Sequence, residues 1–418
     1  MSNRPTAADP LEERSSWAAD PASFDLNDLD ERFLDYPFPS YAQLRDESPV
    51  HRNPDGSFFV TRYDDVAAVL NGRAMSSDKK EPLSGVFGPD APIYEHHANV
   101  MVFLDPPDHP RVRGLVAHAF RNRELSAWQP KVDRVVDDLL AESLSDGEMD
   151  LIADFAYLLP LTVVGEMLGV PTDDRERFKV WGAAVTASLE PNPAQQVIDD
   201  ANSAVDDFKG YLGELAARRR REPGDDLMSI LVGAEEDGAT LTELELLHNA
   251  AFLLNAGHET TSNLIGNGMD ALFRHPDQLD LLRERPELVD PAVEEMLRYD
   301  SPNQIGGRLA LEDVTLRDTE VPANTFVWVS NGAANRDPDA FEQPDRFDIT
   351  RSPNSHLAFG HGPHLCLGAA LARMEARTAF RRLSQLDDLQ PAGQPVRRPR
   401  ARHRGYLSYP IAGVLTRP

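Results

Sequence analysis

The stretch Leu241 to Arg274 carries apolar residues at three- and four-residue spacing, opens on the capping-box pair Thr242 and Glu245, and stops before Pro276. At about 1.5 Å per residue it predicts a helix roughly 45 to 50 Å long, the diameter of the whole protein. A rod of that length obliges the rest of the chain to pack around it. Its centre is poorly made for a helix: AGHETTSN puts Gly257, two β-branched threonines and Asn263 where Ala or Leu would serve better. Local rules broken in the middle of a buried helix point to a functional site.

Two chemistries compete for His258-Glu259. A zinc-protease HExxH needs a second His where this chain has Ser262, so the spacing itself rejects a metal site. Glu259-Thr260 instead places an acid beside an alcohol, a pair suited to relaying protons into a cavity. A solvent-facing Glu and a Thr bonded back to the helix carbonyls account for the same two residues.

The rest of the chain reads as mainly helical with a small β component. From Asp108 to about Arg274 the apolar spacing is three and four, whereas strand signals lie in SFFV, in NTFVWVS (Asn324 to Ser330) and in GYLSYPI (Gly405 to Ile411). Residues 1–20 are acidic and rich in Pro and Ser and are expected to be a disordered tail, with order beginning near Tyr36 and one unit covering 21–418. No N-terminal signal is evident, and no segment is expected to reach the roughly 18 apolar residues of a membrane span, so a cytoplasmic protein is expected. A formal charge of -27 disfavours nucleic acid as a partner. The one dense basic run, RRPRARHR (Arg397 to Arg404), reads as a solvated loop pairing with acidic neighbours.

Cys366 is the only cysteine in 418 residues, and it sits in FGHGPHLCLG just before an alanine-rich helix. A single thiol excludes an intrachain disulfide and a Cys-rich zinc site, leaving a buried small hydrophobe, a nucleophile or a metal ligand. A helix start supplies N–H groups and a positive dipole end that favour the thiolate.

FGHGPHLCLG resembles the haem-ligand loop of cytochrome P450 monooxygenases, Phe-x-x-Gly-x-His/Arg-x-Cys-x-Gly, with Phe359, Gly362, His364, Cys366 and Gly368 in place. The resemblance, which runs from about Tyr36 to Ile411, implies the cytochrome P450 fold, a triangular prism of helices with haem b between the long central helix and the Cys-loop helix. Cys366 would be the axial thiolate, which favours O–O cleavage. Ala256 and Gly257 of AGHETT would face the haem, Gly257 leaving space for O2 and substrate. Thr260 would hydrogen-bond the bound oxygen and Glu259 would bring protons. The family's ExxR is Glu295-Met296-Leu297-Arg298, and Arg346 of FEQPDRFD is the expected third member of its ion-pair triad. His109 and Arg113 of DHPRVR, Arg308 and His356 stand where P450s hold the haem carboxylates.

The same resemblance implies O2 as co-substrate and NAD(P)H consumed indirectly, through a ferredoxin or flavodoxin and its reductase. These would dock on the proximal face near Arg111, Arg121, Arg123, Arg373 and Arg377, on a monomer. The substrate pocket is expected at Phe87, Ile93, Tyr94, Leu253, Ile305, Gly306, Tyr406 and Leu407. Such a lining suits a mainly hydrophobic molecule with a polar handle: a terpenoid, steroid, fatty acid or macrolide. A haem-thiolate ligand sensor or an O2-independent isomerase is the alternative, and the intact Glu259-Thr260 pair speaks against both.

Overall fold

The computed structural model describes residues 17–117, 125–236 and 239–415. Its axis is the central helix, Glu243–Arg274, 32 residues long. The capping box closes as the sequence predicts: Thr242 Oγ1 accepts from the Glu245 N–H at 3.2 Å, and Glu245 Oε2 accepts from the Thr242 N–H at 2.8 Å. Nearly every residue from Leu246 to Leu272 is buried, because helices pack on all sides: Leu158–Leu168, Arg175–Ala187, Gln195–Arg221, Val289–Tyr299 and Ala369–Leu383.

The helix tolerates its glycines because its neighbours need them. A Cβ on Gly268 would stand 2.5 Å from Phe380 and 2.8 Å from the Met296 sulfur, and one on Gly257 would stand 2.9 Å from Val164 Cγ2. Gly257 therefore lets two helices approach each other, in addition to facing the cavity described below.

One segment corrects the expectation that nothing here reaches membrane-span length. Leu151–Leu168 has the length and composition to cross a membrane, but 78% of it is buried inside the protein, packed on the central helix. It begins with wide turns over Leu151–Ala156, capped by the Asp150 carboxylate, which accepts from the N–H groups of Ile152 (2.9 Å) and Ala153 (3.1 Å).

Two sheets tie distant parts of the chain together. The five-stranded sheet runs in the order Val50–Arg52, Phe58–Val60, Phe326–Ser330, Ile305–Ala310, Met75–Ser76, with Phe58–Val60 parallel to Phe326–Ser330 and the other pairs antiparallel. All three residues of Phe58–Val60 are buried, as expected of a strand covered on both faces. A three-stranded sheet joins Asp387–Pro391, Pro410–Val414 and Glu148–Asp150.

Packed structure begins before Tyr36. Phe24, Leu26 and Phe33 are buried, and the Phe24 ring stacks on Phe59 at 5.7 Å. The Ala19 N–H donates to Ser40 Oγ at 2.9 Å. The apolar residues were spaced too irregularly among acids to stand out. Of the tail expected at 1–20, residues 1–16 lie outside the described residues.

Candidate functional site

The cysteine loop is a tight hairpin that delivers Cys366 to the start of the helix Ala369–Leu383. The Cys366 N–H donates to the Phe359 carbonyl at 2.9 Å. Gly360 and Gly362 adopt φ of +76° and +73°, and a Cβ on Gly362 would stand 2.6 Å from Asn71 Oδ1, so glycine is required there twice over. The side chain of Cys366 reaches the wall of a cavity of about 330 Å³, and its exposure is to this cavity. Burial pushes the thiol up, while the N–H groups of Gly368 and Ala369 and the charges of Arg113 and Arg373 pull it down.

The central helix forms the facing wall with Leu253, Ala256, Gly257 and Thr260. Thr260 Oγ1 donates to the Ala256 carbonyl at 2.9 Å, so the threonine both bonds back to its helix and faces the cavity. Its neighbour Glu259 points elsewhere. At 3% exposure it is neither solvent-facing nor on the cavity wall, and it is ion-paired to Arg398 and, at 2.8 Å, to Arg400. Burial raises its carboxyl, but Arg398, His403 and Arg400 outweigh this and leave it below the usual range.

The partners of Glu259 correct the reading of RRPRARHR as a solvated loop. Arg397, Arg402 and Arg404 are almost wholly buried. Arg404 pairs with Asp300 at 2.9 Å, and Arg397 lies 3.8 Å from each of Asp35, Asp270 and Asp300. His258 is a satisfied core histidine, set between Tyr157 Oη (2.7 Å) and the Leu254 carbonyl (2.8 Å).

Basic groups gather beside Cys366. His109, Arg113, Arg308 and His364 all line the cavity. The rings of His109 and His364 lie 3.9 Å apart, and His109 Nε2 and His364 Nδ1 are buried without partners. Burial, then the charges of His109, Arg308 and Arg113, push His364 down to about 3. Arg113 donates to the Leu365 carbonyl at 2.6 Å and Arg308 to the Gly307 carbonyl at 3.0 Å, and neither has a carboxylate partner within 4 Å among the described residues. Cations without counter-ions and a thiol facing an apolar space are what haem requires: a flat apolar ring, two carboxylates and a metal for sulfur. The residues present fit the group.

Several expected site residues lie elsewhere. His356 is off the cavity wall, its Nε2 3.1 Å from Glu294, which also takes two bonds from Arg373 at 2.7 and 2.8 Å. Arg346 is not the third member of the ion-pair triad. Its side chain is 60% exposed, and only its carbonyl reaches Arg298. Arg351 takes the place: Glu295 and Arg298, both fully buried, pair at 2.7 Å, and Arg351 Nε lies 3.1 Å from Glu295 Oε2. The turn at Phe347–Arg351 brings the later arginine inward and leaves the earlier one outside.

Of the expected pocket residues, Leu253 and Gly306 line the cavity, whereas Phe87, Ile93, Tyr94, Ile305, Tyr406 and Leu407 do not. Ile93 and Ile305 are fully buried in packing, Tyr406 bonds Arg397, and Leu407 is half exposed. The expected docking arginines are also less free than supposed. Arg111 pairs with Glu245 and Asp108, Arg373 with Glu294 and Arg377 with Asp290, while Arg121 and Arg123 lie outside the described residues.

Glu375 escaped notice in the sequence. It is 1% exposed, lines the cavity from the cysteine-loop helix, and is held at about 8 by burial, opposed only by a hydrogen bond from Thr261. An acid at a core-facing position of LGAALARMEARTAF was the available signal.

Comparison with known proteins agrees with this geometry. The sequence model of the family described as Cytochrome P450 matches residues 49–400. Vitamin D(3) 25-hydroxylase of Pseudonocardia autotrophica is 43% identical over 356 residues, covering 84% of this chain and 86% of the relative. Cytochrome P450 monooxygenase PikC of Streptomyces venezuelae is 42% identical over 406 residues, covering 94% and 95%. The crystal structure of CalO2 superposes with a TM-score of 0.88 at 36% identity, covering 95% of this chain and 99% of that one. With the fold, the thiol-bearing cavity and most of the chain's length in agreement, the chain belongs to the cytochrome P450 family and is a P450 monooxygenase of the bacterial class.

Proposed function

We propose that this enzyme, acting in the cytoplasm, inserts one oxygen atom of O2 into a mainly hydrophobic small molecule, by hydroxylation or epoxidation, with electrons from a separate ferredoxin or flavodoxin and its reductase. The observation that carries the reading is the opposition of Cys366 to Gly257 and Thr260 across one cavity with unpaired cations at its side. When bound, haem supplies thiolate-ligated redox iron that activates O2.

The chain's own residues divide the remaining work. Cys366 would ligate the metal, its sulfur steadied by the Gly368 and Ala369 N–H groups. His109, Arg113 and Arg308 would neutralise the haem carboxylates. Thr260 holds a hydroxyl at the cavity wall. Glu259, one residue before it and outside the cavity, is positioned to exchange protons if Arg398 or Arg400 releases it. Phe252, Leu253, Val164 and Met167 exclude water from the substrate side. The named action of one relative on vitamin D3 supports a hydrophobic substrate, and the surface arginines Arg373 and Arg377 remain the candidates for partner docking.

The test is the reduced carbon monoxide complex. The wild type is expected to show the red-shifted Soret band of thiolate ligation, and Cys366→His to lose that band while retaining haem. Survival of the band in the variant refutes the assignment.

A further inference from the structure

A second group of basic side chains lies on the cavity wall and is not needed by the reading above. Lys79 is 6% exposed, His97 2% and Arg402 8%, and all three line the cavity. Two aromatic and backbone landmarks place them together. The Lys79 ammonium lies 4.7 Å from the centroid of the Phe103 ring, and the His97 ring packs edge-on against the same phenyl at 5.4 Å. His97 Nε2 is 3.4 Å from Ser188 Oγ, and Arg402 donates to the carbonyl of the next residue, Leu189. Lysine, histidine and arginine thus converge on one corner, from the segment after the strand Met75–Ser76, the helix Pro92–Asn99 and the loop before the strand Tyr406–Ser408.

This corner has no carboxylate of its own. Among the described residues the Lys79 ammonium makes no hydrogen bond or ion pair and lies only over the faces of Phe103 and Phe326. His97 Nδ1 is buried without a partner. Glu190, behind Arg402, is occupied by the backbone N–H groups of Ala401 (2.9 Å) and Arg402 (3.1 Å) and by His403 at 3.8 Å, and it does not reach the wall. Glu375, the single acidic residue on the described wall, belongs to the cysteine-loop helix. Burial lowers both Lys79 and His97, and the Arg402 charge lowers them further. Leaving such groups buried without an anion is costly. The same wall carries apolar surface from Met101, Val102, Leu253 and Val185 for a hydrocarbon body, interspersed with the uncharged polar side chains of Thr186, Asn255 and Asn303.

We propose that the corner formed by Lys79, His97 and Arg402 is a carboxylate site, and that the substrate is an apolar acid whose hydrocarbon part extends toward Cys366. This rests on the monooxygenase reading and narrows its substrate class. Charge-assisted bonds from an ammonium and a guanidinium in a dry cavity give the acid at least about a tenfold advantage over its uncharged ester.

The test is calorimetric titration of the haem-loaded enzyme with matched acids and methyl esters on straight-chain, terpenoid and steroid skeletons. In at least one pair the acid is expected to bind about tenfold or more tightly than the ester. Lys79→Met and Arg402→Leu should each remove that preference while ester affinity is kept, and Lys79→Arg should retain it. Esters binding as well as acids in every pair, variants losing acid and ester equally, or sulfate and phosphate esters outcompeting the carboxylates would overturn it. So would a Lys79→Met protein that loses haem yet keeps the acid preference, since the ammonium would then serve the haem carboxylates. The carbon monoxide band is read on the same samples. Its absence from the wild type refutes the monooxygenase reading, whereas its presence with no acid preference refutes only the carboxylate site.

Discussion

Replacing Arg351 by Gln tests the assignment of the buried ion-pair triad more sharply than any change at the cysteine. Arg351 bridges both oxygens of a fully buried Glu295, at 3.1 and 3.2 Å, and donates to the carbonyls of Glu342 (2.7 Å), Gln343 (3.2 Å) and Arg346 (3.1 Å). Breaking a buried pair by removing one partner costs about 3–5 kcal/mol, because the other charge stays buried. Glu295 keeps Arg298, the Asp348 N–H at 2.9 Å and Asn354 at 3.1 Å, which sets the expected loss at the low end, about 3 kcal/mol. Arg346→Gln removes only an exposed guanidinium 3.7 Å from Asp348, and its carbonyl survives the substitution, so about 0–1 kcal/mol is expected. The assay is urea unfolding of the haem-loaded proteins by far-UV circular dichroism. Arg351→Gln should lower the midpoint with the slope unchanged, and Arg346→Gln should overlay the wild type. Equal shifts in the two variants, or a neutral Arg351→Gln, would refute the reasoning.

Three further changes probe the site itself. Thr260→Ala removes the hydroxyl from the cavity wall. It is expected to keep the thiolate Soret band while product per NAD(P)H falls and hydrogen peroxide release rises, by up to about 10²-fold in coupled rate; normal coupling would return the threonine to a purely structural role. Gly257→Ala drives a Cβ to 2.9 Å from Val164 Cγ2, so it should destabilise by about 1–3 kcal/mol in urea, and Val164→Ala should recover much of the loss. Glu375 binds its proton more tightly folded than unfolded, with a folded value of about 8. The folded chain therefore carries an extra proton from about pH 4.5, the ordinary carboxyl value, up to pH 8. Stability should fall across that window and level off above it, and Glu375→Gln should flatten that part of the profile; an unchanged slope would reject a neutral carboxyl.

What could be read from sequence was whatever depended on local spacing. The Thr242 cap, the strand in SFFV and the arrival of Cys366 at a helix start are short-range features, and each is present. Arg351 against Arg346 turned instead on the path of a few residues that carry no periodic signal. The buried arginines of 397–404 looked solvated because their acids come from three separate stretches, Asp35, Glu259 and Asp270 of the central helix, and Asp300, and only the fold brings them together. In the pocket, Ile305 and Gly306 are adjacent in one strand, yet Ile305 is fully buried in packing while Gly306 lines the cavity, so proximity along the chain did not imply a shared role. The carboxylate corner was equally hidden, since Lys79, His97 and Arg402 converge from three elements.

The pairing of early with late strands sets the order of events at synthesis. Phe58–Val60 finds its parallel neighbour only when Phe326–Ser330 has emerged, and Glu148–Asp150 waits for Pro410–Val414. Contacts of such long sequence separation carry a large loop-closure cost and slow the approach to the native state. Until then Phe58, Phe59 and Val60, buried in the finished protein, stand open as a sticky edge. Capture of the prosthetic group is accordingly a late event, because Cys366 follows most of the chain and the cavity wall takes residues as late as Arg402 and His403. Expression conditions that slow aggregation and supply haem through the end of translation should raise the yield of loaded enzyme more than extra haem added early.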